Sequence, residues 1–152
     1  MASYDLPVEM LEPLKEKFPG VEVSGTGVLL VPAADLPAVA QELRDNPDYG
    51  FNMLTNLTAV DYNDHFIAVY NLVSLTHGHN LMLKVKLADR TAPAVPSLCP
   101  VWHAADWQER EAYDLLGINY TGCPGHPTRI LLDDCFEGHP LRKDYQWEGG
   151  RE

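Results

Sequence analysis

The stretch 80–88 leaves little freedom in what it can become. Leu81, Leu83, Val85 and Leu87 alternate with Met82, Lys84 and Lys86, a period of two that sets branched apolar side chains on one face and both ammonium groups on the other. A helix would scatter those apolar positions around its axis, so the stretch is a strand with one wet face. Two earlier runs, 52–62 and 65–75, are rich in β-branched, aromatic or alternating residues, and Asn63-Asp64 and His77-Gly78 supply turn chemistry between the runs. The simplest topology is an antiparallel meander.

The remaining elements are placed around this meander. Leu11, Leu14 and Phe18 recur at helical spacing and predict a helix over 7–18, with Pro13 setting its start or kinking it. Two short strands, 21–24 and 28–31, face each other across Gly25-Thr26-Gly27. Asp35 is placed to cap a second helix carrying the stripe Leu36, Val39, Ala40, Leu43, which Asn46-Pro47 stops. Pro93, Pro96 and Pro100 predict an irregular lead into a third helix, with Trp102 and Trp107 as apolar anchors. That helix is expected over 107–116: Asp106 caps it, Glu109 completes a capping box, and Gly117 marks its exit. Its wheel sets Ala112, Leu115 and Leu116, with Tyr113 beyond them, toward a core and groups Arg110, Glu111 and Asp114 around Trp107 on the other side, with Arg110 and Asp114 in ion-pair register. A short strand at 118–120, a loop at 123–127 and an apolar patch at 130–132 follow.

The run 137–145 is dominated by Glu, His, Arg, Lys and Asp and contains Pro140, which predicts an extended surface segment. Beyond residue 145 no period continues and the tail is expected to fray. The predicted fold is a single α+β domain, a mostly antiparallel sheet of about five strands packed with two to three helices over 1–136, and an extended C-terminal arm over 137–152.

Composition narrows the function classes. A formal charge of −11 across 152 residues repels nucleic-acid phosphate and anionic lipid, so neither is an expected direct partner. The longest apolar stretch, 28–34, contains Pro32 and falls far short of the roughly 20 residues that cross a bilayer. The first five residues hold no basic group, so no secretory leader is expected and the location is cytoplasmic. Cys99, Cys123 and Cys135 form no Cys-x-x-Cys pair, which reads as free thiols in a reducing compartment.

Candidate chemistry is sparse. Gly25 and Gly27 lack the third glycine and the following helix of a phosphate loop. Cys123, His126, Cys135 and His139 offer thiolate and imidazole at Cys-x₂-His-x₈-Cys-x₃-His spacing, a possible zinc set although its order matches no common finger. His77 with His79, and Asp61 with Asp64 and His65, crowd two turns where a surface metal is conceivable, with solvated side chains as the plainer reading. Glu109, Glu111 and Asp114 point in different directions from a helix and do not converge as an acid–base pair. No serine elbow, P-loop or iron–sulfur cysteine set is present.

Val-Pro-Ser-Leu at 95–98, Val-Trp at 101–102, Ala-Asp-Trp-Gln-Glu-Arg-Glu-Ala-Tyr-Asp-Leu-Leu-Gly-Ile at 105–118 and Glu-Gly-His-Pro-Leu-Arg-Lys-Asp-Tyr at 137–145 closely resemble the C-type subunit, the 30-kDa subunit family, of respiratory complex I. Leu-Thr-Ala-Val-Asp-Tyr at 57–62 is similar to that family's sheet segment, so the likeness covers most of the chain. One loop departs: Gly-Cys-Pro-Gly-His-Pro-Thr-Arg-Ile stands where the family usually has Gly-His-Pro-Asp-Leu-Arg-Arg-Ile.

The resemblance implies a non-catalytic, cofactor-free subunit in the peripheral arm of a proton-translocating NADH:quinone oxidoreductase, on the cytoplasmic side of the membrane. It implies docking against the D-type subunit and neighbouring iron–sulfur subunits near the quinone-reduction site, with NADH, FMN, iron–sulfur clusters and quinone held by those partners. The expected interface is Asp106, Trp107, Glu109, Arg110, Glu111 and Asp114 on the helix, with His139, Leu141, Arg142, Lys143, Asp144 and Tyr145 on the arm. Charge pairs would fix register there, and the arm would wrap a partner and order only when bound. Two alternatives stand beside this: the equivalent subunit of a membrane-bound hydrogenase or formate-oxidising complex, and a stand-alone zinc-binding interaction domain.

Overall fold

The computed structural model describes residues 4–149. The element order is β1 (Tyr4–Asp5), α1 (Val8–Lys17), β2 (Glu22–Gly25), β3 (Val28–Leu30), α2 (Leu36–Asp45), β4 (Met53–Asp61), β5 (Phe66–Ser74), β6 (His79–Leu87), β7 (Ala94–Pro96), α3 (Ala105–Leu116) and β8 (Asn119–Thr121). The alternation over 80–88 does what it demands. Leu81, Leu83, Val85 and Leu87 are all buried, and they face Leu72, Tyr70, Ala68 and Phe66 across the antiparallel β5–β6 ladder. β4 completes the meander on the far side of β5.

The alternation in β4 slips by one residue between Leu54 and Asn56, so that Leu54 and Leu57 are both buried. A bulge of this kind inserts one unpaired residue, here Thr55, whose hydroxyl donates to the carbonyl of Asn71 at 3.0 Å. Leu57 N–H is satisfied from outside the sheet by Gln108 Oε1 at 2.7 Å, which ties α3 to this edge strand.

The sheet is mixed. β2 and β3 form the expected antiparallel hairpin, but β3 then runs parallel to β6, and β1 adds a second short parallel pairing further along the same strand. Six strands result, in the order β2-β3-β6-β5-β4 with β1 on β6. Periodicity in the sequence fixes which face of a strand is buried and says nothing about which strand lies beside it, so these parallel pairs were not legible. Leu11 and Leu14 of α1 and the full stripe Leu36, Val39, Ala40, Leu43 of α2 join one core with the sheet. Helix α1 runs through Pro13, forgoing one backbone bond.

Several local expectations change. Trp102 is a true anchor, buried with its indole N–H donating to Phe51 O at 3.0 Å, whereas Trp107 points to solvent. His79 is buried and a ring nitrogen lies 2.8 Å from Tyr49 O, so it belongs to the core rather than to a solvated hairpin tip. Cys99 and Cys123 are disulfide-bonded, and Cys135 is the free, exposed cysteine. The cause is the parallel β7–β8 pair: Pro96 lies opposite Thr121, so the chains leaving both strands emerge at one end and carry their cysteines together. No helix among the described residues is long and apolar enough to cross a membrane.

Candidate functional site

Helix α3 begins at Ala105, two residues before the expected start, and no side chain caps it. The capping box is absent because Glu109 turns inward. It is fully buried, accepting the Ser97 hydroxyl at 2.5 Å and Leu98 N–H at 2.7 Å, and so fastens α3 to the turn after β7. Burial pushes the Glu109 carboxyl up, against the bonds from Ser97 and Leu98. Beside it in the same core, burial drives the phenols of Tyr70 and Tyr120 well above their ordinary value.

Asp114 is also fully buried, contrary to its expected place on the outer face of the helix. The predicted Arg110–Asp114 pair does not form. Instead Arg129 donates to Oδ1 at 2.7 Å, while Oδ2 accepts consecutive backbone N–H groups from Ile130, Leu131 and Leu132 at 3.1, 2.7 and 2.9 Å. Such a run of N–H groups makes an anion-binding concavity. Burial works against the charge on Asp114, but the backbone donors and Arg129 outweigh it and hold its pKa at about 2. The patch 130–132 therefore serves through its backbone; Leu131 projects outward.

Beyond β8 the described chain carries no helix or strand, yet it is closely tied down. Arg129 donates its other nitrogen to Phe136 O at 2.8 Å and Gly138 O at 3.0 Å, and Arg110 donates to Arg129 O at 2.9 Å. The arm then caps the C-terminus of α3, where the last carbonyls of any helix lack partners. A His139 ring nitrogen lies 2.9 Å from Asp114 O, Leu141 N–H donates to Leu115 O at 3.0 Å, and Arg142 Nε donates to Leu116 O at 2.6 Å. Gly117 leaves the helix with φ 73°, and a Cβ there would stand 2.6 Å from the His139 ring and 2.7 Å from the Arg142 guanidinium. Only glycine fits both the backbone and the space.

A second anchor holds the next residues. Asp61 forms a two-pronged pair with Arg90 and accepts Lys143 N–H at 2.9 Å, and Arg90 reaches Asp144 at 3.2 Å. Arg90 holds the Asp61 carboxyl well below the usual carboxylate range. The Arg90 and Arg142 guanidinium groups both lie over the Phe66 ring, at 5.0 and 5.2 Å. The arm is thus held by its own chain, with no partner required to order it.

The expected surface divides in two. Glu109 and Asp114 are buried; Arg110, Arg142 and His139 are part-buried in bonds within the chain; Asp106 faces His126; Tyr145 packs on Phe136. Facing solvent from α3 and the chain beyond β8 are, among others, Trp107, Leu131, Leu141 and Trp147, each 60–70% exposed, together with Glu111, Lys143 and Asp144. Sequence reasoning singled out neither Arg129 nor the Arg90–Asp61 pair, and no local signal marks them. The zinc set does not assemble: Cys123 is in the disulfide, His126 lies on Asp106, Cys135 is exposed, and His139 is on α3.

Residues 29–151 match the family described as respiratory-chain NADH dehydrogenase, 30 kDa subunit. The chain is 47% identical over 149 residues to the C-type subunit of NADH-quinone oxidoreductase from Moorella thermoacetica, covering 92% of this chain and 97% of that one. It is 42% identical over 140 residues to the subunit of the same name from Cupriavidus metallidurans, covering 85% and 69%. Among solved structures it resembles a chain of the membrane-bound sulfane sulfur reductase, an archaeal respiratory membrane complex, with TM-score 0.76 and 25% identity over 91% of this chain and 84% of that one.

Proposed function

Because the chain belongs to the 30 kDa subunit family of respiratory-chain NADH dehydrogenases, as a C-type subunit of NADH-quinone oxidoreductase, we propose that it works as a docking subunit. In this reading it carries no catalytic group of its own. It sits peripherally on the cytoplasmic side of the membrane complex, against the D-type subunit near the quinone-reduction site, and supports assembly of the electron-transfer arm. NADH, FMN, iron–sulfur clusters and quinone are held by its partners.

One observation carries this reading. Glu109, Arg110, Asp114 and Arg142 are spent on internal bonds, while Trp107, Leu131, Leu141 and Trp147 face outward. Large apolar side chains exposed beside charged ones suit a surface that a protein partner covers. Glu111, Lys143 and Asp144 then form the rim, where charge sets orientation.

The likeness to the archaeal sulfane sulfur reductase supports a second reading, in which the same module serves a complex fed by a donor other than NADH. The donor site would lie on another subunit. Affinity purification of the tagged chain from detergent-solubilised membranes, with co-purifying proteins identified by mass, tests both. Recovery with the D-type subunit, iron–sulfur subunits and an NADH-oxidising module is the expected result. A hydrogenase-like input module would select the second reading, and recovery of the chain alone would overturn both.

A further inference from the structure

Among the described residues one group of metal-binding side chains converges, and it is not the set that sequence spacing singled out. Donor atoms of Asp106, Cys123 and His126 all lie within 4.8 Å of one another, and the sulfur of Cys99 is bonded to that of Cys123. Asp106 comes from the first turn of α3, Cys99 from the chain after β7, and Cys123 and His126 from the chain after β8. We propose that Cys99, Cys123, His126 and Asp106 form a zinc site once the Cys99–Cys123 disulfide is reduced.

The histidine supplies independent support. Its side chain is only 2% exposed, and its Nε2 lies 3.0 Å from Asp106 Oδ1. Two ligands of one tetrahedral zinc, each about 2.0–2.1 Å from the ion, stand about 3.3 Å apart, close to the separation the imidazole and carboxylate already have. Two thiolates, an imidazole and a carboxylate suit zinc better than the hard cations, which take oxygen.

The redox step balances with a dithiol reductant. Two electrons and two protons pass from the dithiol to the Cys99–Cys123 bond, giving two thiols, and the dithiol closes to its own disulfide. Zinc then displaces both thiol protons as the thiolates bind it. Either form, disulfide or zinc, ties the chain after β8 to the segment between β7 and α3, so this junction holds in oxidising and reducing surroundings alike. Cys135 and His139 take no part, being exposed and engaged on Asp114 O respectively.

The test is a cobalt(II) titration of the full-length chain after reduction with a dithiol and anaerobic removal of the reductant. Tetrahedral cobalt bound by thiolates shows intense visible bands and a thiolate charge-transfer band. The expected result is saturation at one cobalt per chain, displacement by zinc, and no such bands in the unreduced protein. Cys99→Ser and Cys123→Ser should each lose them, His126→Ala should weaken binding by more than about tenfold, and Cys135→Ser should leave it unchanged; circular dichroism confirms that each variant is folded. Absence of the bands in reduced wild-type protein overturns the proposal without reference to any variant. Persistence of the bands in folded Cys123→Ser, or their loss in folded Cys135→Ser, also overturns it.

Discussion

Asp114 and Arg129 meet at 2.7 Å where the last turn of α3 passes beneath the arm, and the aspartate also accepts backbone N–H groups from the three residues that follow the arginine. One buried carboxylate thereby organises a segment that has no regular structure of its own. Replacing Asp114 by Ala strands Arg129 and those donors in the interior. Removing one member of a buried pair costs about 3–5 kcal/mol, so urea unfolding of the isolated chain should show a loss of that order, and a loss below about 1 kcal/mol would contradict the latch.

The same carboxylate sets an acid limit. Its pKa in the fold, about 2, lies below the roughly 3.9 of an unfolded aspartate. Its contribution is therefore fully present above about pH 4 and lost as pH falls through its folded value, a loss of about 2–3 kcal/mol. Asp61, lowered by Arg90, acts in the same direction. Urea midpoints measured between pH 5 and pH 2 should fall more steeply for wild type than for Asp114→Asn.

Glu109 has the opposite sign. Burial raises its pKa, so its contribution is complete below the unfolded glutamate value and declines as pH rises through the folded one. Glu109→Gln, which keeps an acceptor for Leu98 N–H, should gain stability relative to wild type between pH 4 and pH 7. A constant difference across that range would mean that the carboxyl titrates alike in the folded and unfolded chain, against the upward push of burial.

Gly117→Ala combines a left-handed backbone with a collision against His139 and Arg142. We expect a cost of at least about 1–2 kcal/mol and, as the more specific sign, faster limited proteolysis within 122–149. Arg142→Glu should behave similarly, because it places a carboxylate against the Leu116 carbonyl at the negative end of α3. An effect of Arg142→Glu on assembly alone, with the thermal transition unchanged, would return this residue to the surface role that its sequence context implies.

Trp107 separates folding from assembly. It is 70% exposed, so Trp107→Glu should move the unfolding free energy by no more than about 0.5 kcal/mol. Co-purification with the other subunits should nevertheless be lost. Unchanged recovery of the complex would remove Trp107 from the interface.

What the sequence disclosed and what it withheld follow one division. The alternation through Leu81 to Leu87, the stripe through Leu36 to Leu43 and the glycine exit at Gly117 are local patterns, and each stands where its period put it. Glu109 with Ser97, Asp114 with Arg129, and Cys99 with Cys123 are pairings across 12 to 24 positions, and no window of periodicity contains them. A helical wheel also assumes that charge faces water, which fails where backbone N–H groups and a guanidinium receive a carboxylate inside. The resemblance directed attention to 105–118 and 137–145, but it could not say which of those side chains point outward.

The capped end of α3 bears on how a larger assembly would be put together. Fixing a residue's backbone costs about 1–2 kcal/mol in entropy, and an arm that became ordered only on contact would draw that cost from its affinity for the partner. Here His139, Leu141 and Arg142 are already seated on the helix carbonyls, so the cost is met while the subunit is still alone. Its encounter with a neighbour is then the meeting of two finished surfaces, with binding free energy left for discrimination between neighbours rather than for folding.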